Sequence, residues 1–282
     1  MSAQIKLVDV VDARIHSFLE ARSEEMDIIS PDLEHILAYA NSMLRSGGRM
    51  TLPFTLTVAD DKQSARIEIE GCDPFSLPLN QYSDWQVLSF PAMPGVKVTG
   101  ISRFYLNSVD PDVNLYMTPI HIDPNKPAMP ISHPSVYAIY LAKKLGPYAT
   151  LGLAEDTWAL NERVIDEQAF LDQAMLFCDE REKMFFDALN HTKKGLVTTV
   201  FDTTDRVQHM FYRYLDPTHP ANEGKDTEKH RDTIAKVYEH FDQMLGRLMK
   251  KIEGTDTVLM VISDHGFTNF RRGVNLNSWL RD

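Results

Sequence analysis

Cysteine is scarce in this 282-residue chain, which contains only Cys72 and Cys178. Two thiols so far apart fit neither a disulfide framework nor a cysteine-rich metal site, so both read as small apolar residues. No apolar run approaches the ~18 residues of a membrane span. The opening Met1-Ser-Ala-Gln-Ile-Lys6 lacks the basic and apolar regions of a secretory signal, so a reducing cytoplasm is the expectation. Positive charge is also in short supply, with 29 Lys and Arg against 40 Asp and Glu and a net charge of −11. That balance argues against nonspecific binding to nucleic acid or to an anionic membrane. It does not argue against an anionic substrate, because a bound cation inverts the local field. Internal repeats and low-complexity tracts are absent, which leaves no basis for a solenoid or fibrous reading. What is present, 43% hydrophobic and 24% charged residues, suits one large globular domain or two modest ones.

Residues 32–46 carry apolar side chains at helical spacing (Leu33, Ile36, Leu37, Ala40, Leu44), with Pro31 before them and Gly47-Gly48 after. Residues 1–50 are therefore expected to form a helical lead-in. From 51 to 108 the character changes. Phe54–Val58, Ala65–Ile69, Trp85–Phe90 and Val96–Leu106 alternate with Asp, Gly and Pro turns, which predicts a β-rich module with one wet face. Residues 109–135 hold Pro119, Pro124, Pro127, Pro130 and Pro134 and read as irregular. Helices are predicted over Ser135–Leu145, over 166–192 and over about 226–252. The charged residues Asp179 to Lys183 read as a solvated face of the second of these helices.

Two places concentrate chemistry. The run Val258–Ile262 suits a strand buried on both faces, and it leads directly into Ser263-Asp264-His265-Gly266. A carboxylate and an imidazole side by side at a strand end are good ligands for a divalent cation. About sixty residues earlier, the strand-like run Leu196–Phe201 is followed by Asp202-Thr-Thr-Asp205-Arg-Val-Gln-His209. If a helix has begun there, Asp205 and His209 stand one turn apart on one face and can grip one ion. The runs at 196–201 and 257–262, with the helix between them, are expected to form a β-α-β unit.

With both pairs in view, the C-terminal half resembles the alkaline phosphatase superfamily, and within it the type I phosphodiesterase/nucleotide pyrophosphatase branch. Phe201 to Asp216, His219-Pro220-Ala-Asn, Ser263-Asp-His-Gly-Phe267 and Gly152 to Asn161 carry the likeness, which covers roughly residues 100–282. The resemblance implies a two-metal hydrolase, usually with zinc and alternatively with manganese. Asp205 and His209 match ligands of one ion, and Asp264 and His265 match ligands of the other. A Thr or Ser activated by metal is the implied nucleophile, and a small phosphate ester is the implied substrate.

The implied fold is α/β: a three-layer alkaline-phosphatase-like core, partial here over 109–282, with an inserted β-rich cap at 51–108. The family pattern also calls for an early Asp, an early nucleophile and a late His. Leu7–Asp12 leads to no suitable Gly-rich turn, and Val274–Asp282 reads as the start of a continuing element. The chain is thus expected to be an internal piece carrying four of the ligands and no identifiable nucleophile.

Other residues carry weaker readings. His121 and His133 flank the proline-rich stretch and read as packed or surface residues before they read as site residues. His219 reads as a turn residue near the site. Arg103 and Arg206 can counter a phosphate, yet arginine more often pairs with a carboxylate. Phe211, Tyr212 and Tyr214 read as core. The substrate could be a phosphodiester, a nucleotide pyrophosphate, a monoester or a sulfate, and a mutase belongs to the same set, because fold does not fix chemistry. From a different class, a noncatalytic binding protein could retain the metallohydrolase core as a remnant.

Overall fold

The computed structural model describes residues 2–6, 52–93, 96–224 and 226–281. The predicted helix at 32–46 lies outside the described residues. The chain divides into two compact units, 1–197 and 198–282.

In the first unit the period-two pattern produces sheets. Strands β1 (Ser2–Lys6), β2 (Pro53–Val58), β3 (Ser64–Ile69) and β4 (Phe75–Pro78) form an antiparallel sheet in that order. Register pairs Phe54 with Ile69 and Leu56 with Ile67. Phe54, Leu56, Ala65, Ile67 and Ile69 are buried while Arg66 and Glu68 face water, so a one-residue slip would invert every side chain. Strands β5 (Gln86–Met93), β6 (Val96–Ser102) and β9 (His121–Ile122) form a second sheet, and β7 (Phe104–Ser108) pairs with β8 (Asn114–Met117). Leu77, Leu88, Phe104, Leu106 and Met117 join the inner face of the first sheet in one apolar cluster. Each such side chain contributes roughly 1.5–3 kcal/mol on burial.

The predicted irregular stretch at 109–135 is thus partly strand. Asn114–Met117 fits between Pro111 and Pro119, and no proline interrupts its ladder. Gly100 answers a packing need, because a Cβ there would collide with Ile120 and press on the His121 carbonyl.

Helices follow the strands. Helix α1 (Val136–Leu145) stops at Gly146, whose φ is 93°. Helix α2 (Thr157–Asn161) is capped by Asp156, which accepts from the Ala159 N–H. Helix α3 (Glu167–His191) is capped by Asp166, which accepts from the Ala169 N–H at 2.8 Å. It buries Ala169, Phe170, Gln173, Ala174, Phe177 and Cys178 at helical spacing.

Glu180 departs from the expected solvated face. Its side chain is 11% exposed and takes hydrogen bonds from Arg103 (2.9 Å), Trp85 (2.7 Å) and the Ala149 N–H (2.8 Å). This joint fastens the second sheet region to α3. The cause is tertiary: the buried Arg103 draws in a carboxylate that sequence spacing places on the wet side. Cys72 and Cys178 form no disulfide.

The second unit is helical among its described residues. It contains α4 (Thr203–Phe211), short 3₁₀ turns at Tyr212–Leu215, Pro220–Asn222 and Glu228–His230, α5 (Thr233–Ile252) and α6 (Leu276–Arg281). Helix α5 begins after a separate turn and buries Ile234, Val237, Met244 and Leu248.

The strands expected at 196–201 and 257–262 are not formed. Among the described residues all three sheets lie within 2–122, and Val258, Met260, Val261 and Ile262 are each more than three-quarters exposed. A parallel strand needs a neighbour to take up its N–H and C=O groups, and no described strand pairs with either run. The arrangement is α/β with separate sheets and helices, and the β-α-β unit is a correction to the sequence reading.

No helix among the described residues is long and apolar enough to cross a membrane.

Candidate metal centre

Helix α4 has begun by Thr203, so Asp205 sits in its first turn and His209 in its last. Thr203, Val207 and Phe211 take the buried face, four residues apart, and leave Asp205 and His209 together on another flank. A carboxylate in the first turn also faces the positive end of the helix dipole. His209 Nε2 lies 3.3 Å from Asp205 Oδ1.

His265 reaches the same atom from the far end of the sequence, with its Nε2 3.5 Å from Asp205 Oδ1. Backbone contacts orient this imidazole. The Ser263 hydroxyl donates to the His265 carbonyl at 2.6 Å, and the His265 N–H donates to Asp264 Oδ1 at 3.1 Å. His265 Nδ1 lies 3.1 Å from the Gly266 carbonyl, which only accepts, so Nδ1 carries the proton. The lone pair of neutral His265 is then on Nε2, facing a carboxylate oxygen. This is the tautomer that metal-ligating histidines adopt when the other ring nitrogen donates to a carbonyl.

Asp205 Oδ1 is buried yet meets no hydrogen-bond partner. Two imidazole nitrogens approach it, and neither satisfies it. Ligands held ~2.0–2.1 Å from a tetrahedral ion stand about 3.3 Å from one another, close to the separations found here. Asp205, His209 and His265 are donors of the right chemistry for a cation, but among the described residues no group of three or more His, Cys, Asp or Glu is arranged to hold an ion. Asp264 is nearby, with Oδ2 3.8 Å from His265 Nε2, but its side chain is 90% exposed.

Aromatic residues that sequence reading assigned no site role surround the two imidazoles. The Phe267 ring lies 4.9 Å from His209 and 5.3 Å from His265, and Tyr212 stacks on it at 6.0 Å. The only sequence signal was that Phe267 directly follows the Asp-His-Gly motif. Its approach to α4 is tertiary. Phe211 and Tyr214 are core as expected, while Tyr212 is half-buried.

His219 is a buried turn residue. Its Nδ1 accepts from the Ala221 N–H, and its Nε2 donates to the Phe270 carbonyl at 2.9 Å. Asp216 binds Thr218, Asn269 and Arg271. Hydrogen bonds from Thr218, with Arg271 nearby, hold the Asp216 carboxyl below its usual range.

The remaining candidates belong elsewhere. Arg103 pairs with Glu180 and lies over the Trp85 ring at 4.8 Å. His121 is 1% exposed, packs against Trp85 and Phe177, and accepts from the Thr150 N–H at 3.0 Å. Burial, helped by the neighbouring Arg103 charge, pulls its pKa down to about 3. His133 is exposed, and Arg206 is partly buried on α4.

The family model for type I phosphodiesterase / nucleotide pyrophosphatase matches residues 116–282. No curated protein and no solved structure matches the chain.

Proposed function

The chain belongs to the type I phosphodiesterase/nucleotide pyrophosphatase family, and from that premise we propose that it supplies metal ligands for hydrolysis of a small phosphate ester, a phosphodiester or a nucleotide pyrophosphate. In this reading Asp205 and His209 hold one divalent ion, and Asp264 and His265 hold the second. Two such ions, zinc first and manganese as the alternative, supply Lewis-acid polarisation at phosphorus and stabilise the attacking and leaving oxygens. Asp205 presents a buried acceptor that no donor satisfies, and His265 presents its Nε2 lone pair toward it. The approach of both His209 and His265 to Asp205 Oδ1, at 3.3 and 3.5 Å, brings ligands of the two proposed ions side by side and is the observation that supports the reading. The implied Thr or Ser nucleophile is assigned to no described residue.

The proposed architecture is a lead-in over 1–50 that is helical only beyond β1, a β-rich cap over 51–108 and a partial three-layer metallohydrolase core over 109–282, in a cytoplasmic setting. The exposure of Asp264 favours one rival, a noncatalytic binding protein retaining the core as a remnant. Hydrolysis of bis(p-nitrophenyl) phosphate with added zinc tests the assignment. The 282-residue chain is expected to show no turnover above background. Zinc-dependent turnover that Asp205→Ala abolishes would overturn the missing nucleophile while supporting the ligands. Turnover that Asp205→Ala leaves intact would overturn the ligand assignment.

A further inference from the structure

We infer that Phe267 is a positioning residue that sets the imidazoles of His209 and His265 toward Asp205, with Tyr212 as its brace. The inference rests on the reading of these histidines as metal ligands. Both imidazoles are half exposed, at 55% and 50%; His265 has its Nδ1 on the Gly266 carbonyl, and packing restricts the freedom that such a bond leaves. Phe267 packs on both, nearly edge-on to His209 at 78° and tilted at 59° to His265. Such aromatic pairs prefer edge-to-face over parallel overlap, so one ring restricts both imidazoles at once.

Phe267 is itself held. The Tyr212 ring stacks on it at 26°, and the Tyr212 hydroxyl donates to the Phe267 carbonyl at 3.2 Å. Tyr212 lies three residues beyond His209, so both face the same side of the chain as it leaves α4. Further along, His219 donates to the Phe270 carbonyl, Asn269 donates to Asp216, and Arg271 donates to the Thr218 carbonyl at 3.0 Å. The segment 267–271 is thereby pinned to the 212–219 turn, which fixes where the phenyl ring can sit.

The test compares Phe267→Leu, Phe267→Tyr and Tyr212→Phe in the full chain. Imidazole ¹H–¹³C resonances of His209 and His265 are recorded without metal, and zinc affinity is measured by chelator competition. Phe267→Leu should move both sets of resonances by removing the ring current, and should weaken zinc binding roughly tenfold or more, as loss of an outer-shell partner does. Phe267→Tyr should restore both readouts. Tyr212→Phe, a milder change, should shift the resonances in the same direction by less. Unmoved resonances in Phe267→Leu, or moved resonances with unchanged zinc affinity, would overturn the positioning role. If the wild-type chain retains no zinc, the metal reading fails, and metal-free NOEs from the two imidazoles to the Asp205 methylene decide the positioning role: lost in Phe267→Leu they uphold it, kept they overturn it.

Discussion

Replacing Glu180 with alanine should destabilise the first unit by about 3–5 kcal/mol, the loss expected when one partner of a buried ion pair is removed. The magnitude follows from what Glu180 leaves behind. Arg103 and Glu180 are 10% and 11% exposed, so the guanidinium would lose its counter-ion in a site with little access to water. Trp85 Nε1 and the Ala149 N–H would also lose their acceptor. Each orphaned donor carries a penalty of about 1–3 kcal/mol, moderated where water can enter. Arg103 keeps one bond, to the Ser83 carbonyl at 2.7 Å, which limits the loss. Glu180→Gln retains one acceptor oxygen and most of the packing, so it should lose only about 1–2 kcal/mol. Urea unfolding followed by Trp85 emission reads the change, because Trp158 and Trp279 are largely exposed and Trp85 is buried. In the Arg103→Ala/Glu180→Ala double variant, the loss should fall short of the sum of the two singles. A Glu180→Ala loss below about 1 kcal/mol, the range of a surface pair, would refute the claim that this bond fastens sheet to helix.

Gly100→Ala should destabilise by about 1–3 kcal/mol, measured by urea unfolding, because the new methyl group overlaps Ile120 and the His121 carbonyl. The Gly146→Ala change meets no atoms but sits at φ 93°, so its penalty would be conformational and not steric. His121 makes stability pH-dependent. Its native pKa of about 3 lies below the ordinary 6.5, so between those values the unfolded chain binds the extra proton. The contribution is complete above pH 6.5 and is lost as pH falls toward 3, about 2–3 kcal/mol between pH 7 and pH 4.5. Chemical denaturation at the two pH values should show that slope in the wild type and a shallower one in His121→Gln. Equal slopes would remove His121 as its source.

The legible parts of the fold were those written in local pattern. Alternation in Phe54–Val58 and Ala65–Ile69 marked β2 and β3, and apolar residues at helical spacing over 166–192 marked α3. The 3.6-residue period placed Asp205 and His209 together before any contact was known. What failed depended on neighbours. Leu196–Phe201 and Val258–Ile262 have strand composition, but composition does not report whether a partner strand lies alongside. Glu180 looked like one more charge on a charged face, and only the position of Arg103 draws it inward. Tyr212 and Phe267 are 55 residues apart, and nothing local to either forecasts the contact between them. Within the site, the meeting of Asp205 and His209 was readable, and the approach of His265 to Asp205 was not.

Zinc retained at equilibrium dialysis, compared between the wild-type chain and its Asp205→Ala and His209→Ala variants, tests the metal centre most directly. The wild-type chain should hold zinc that both variants release into the same buffer. Equal zinc in all three, or none in the wild type, would contradict it.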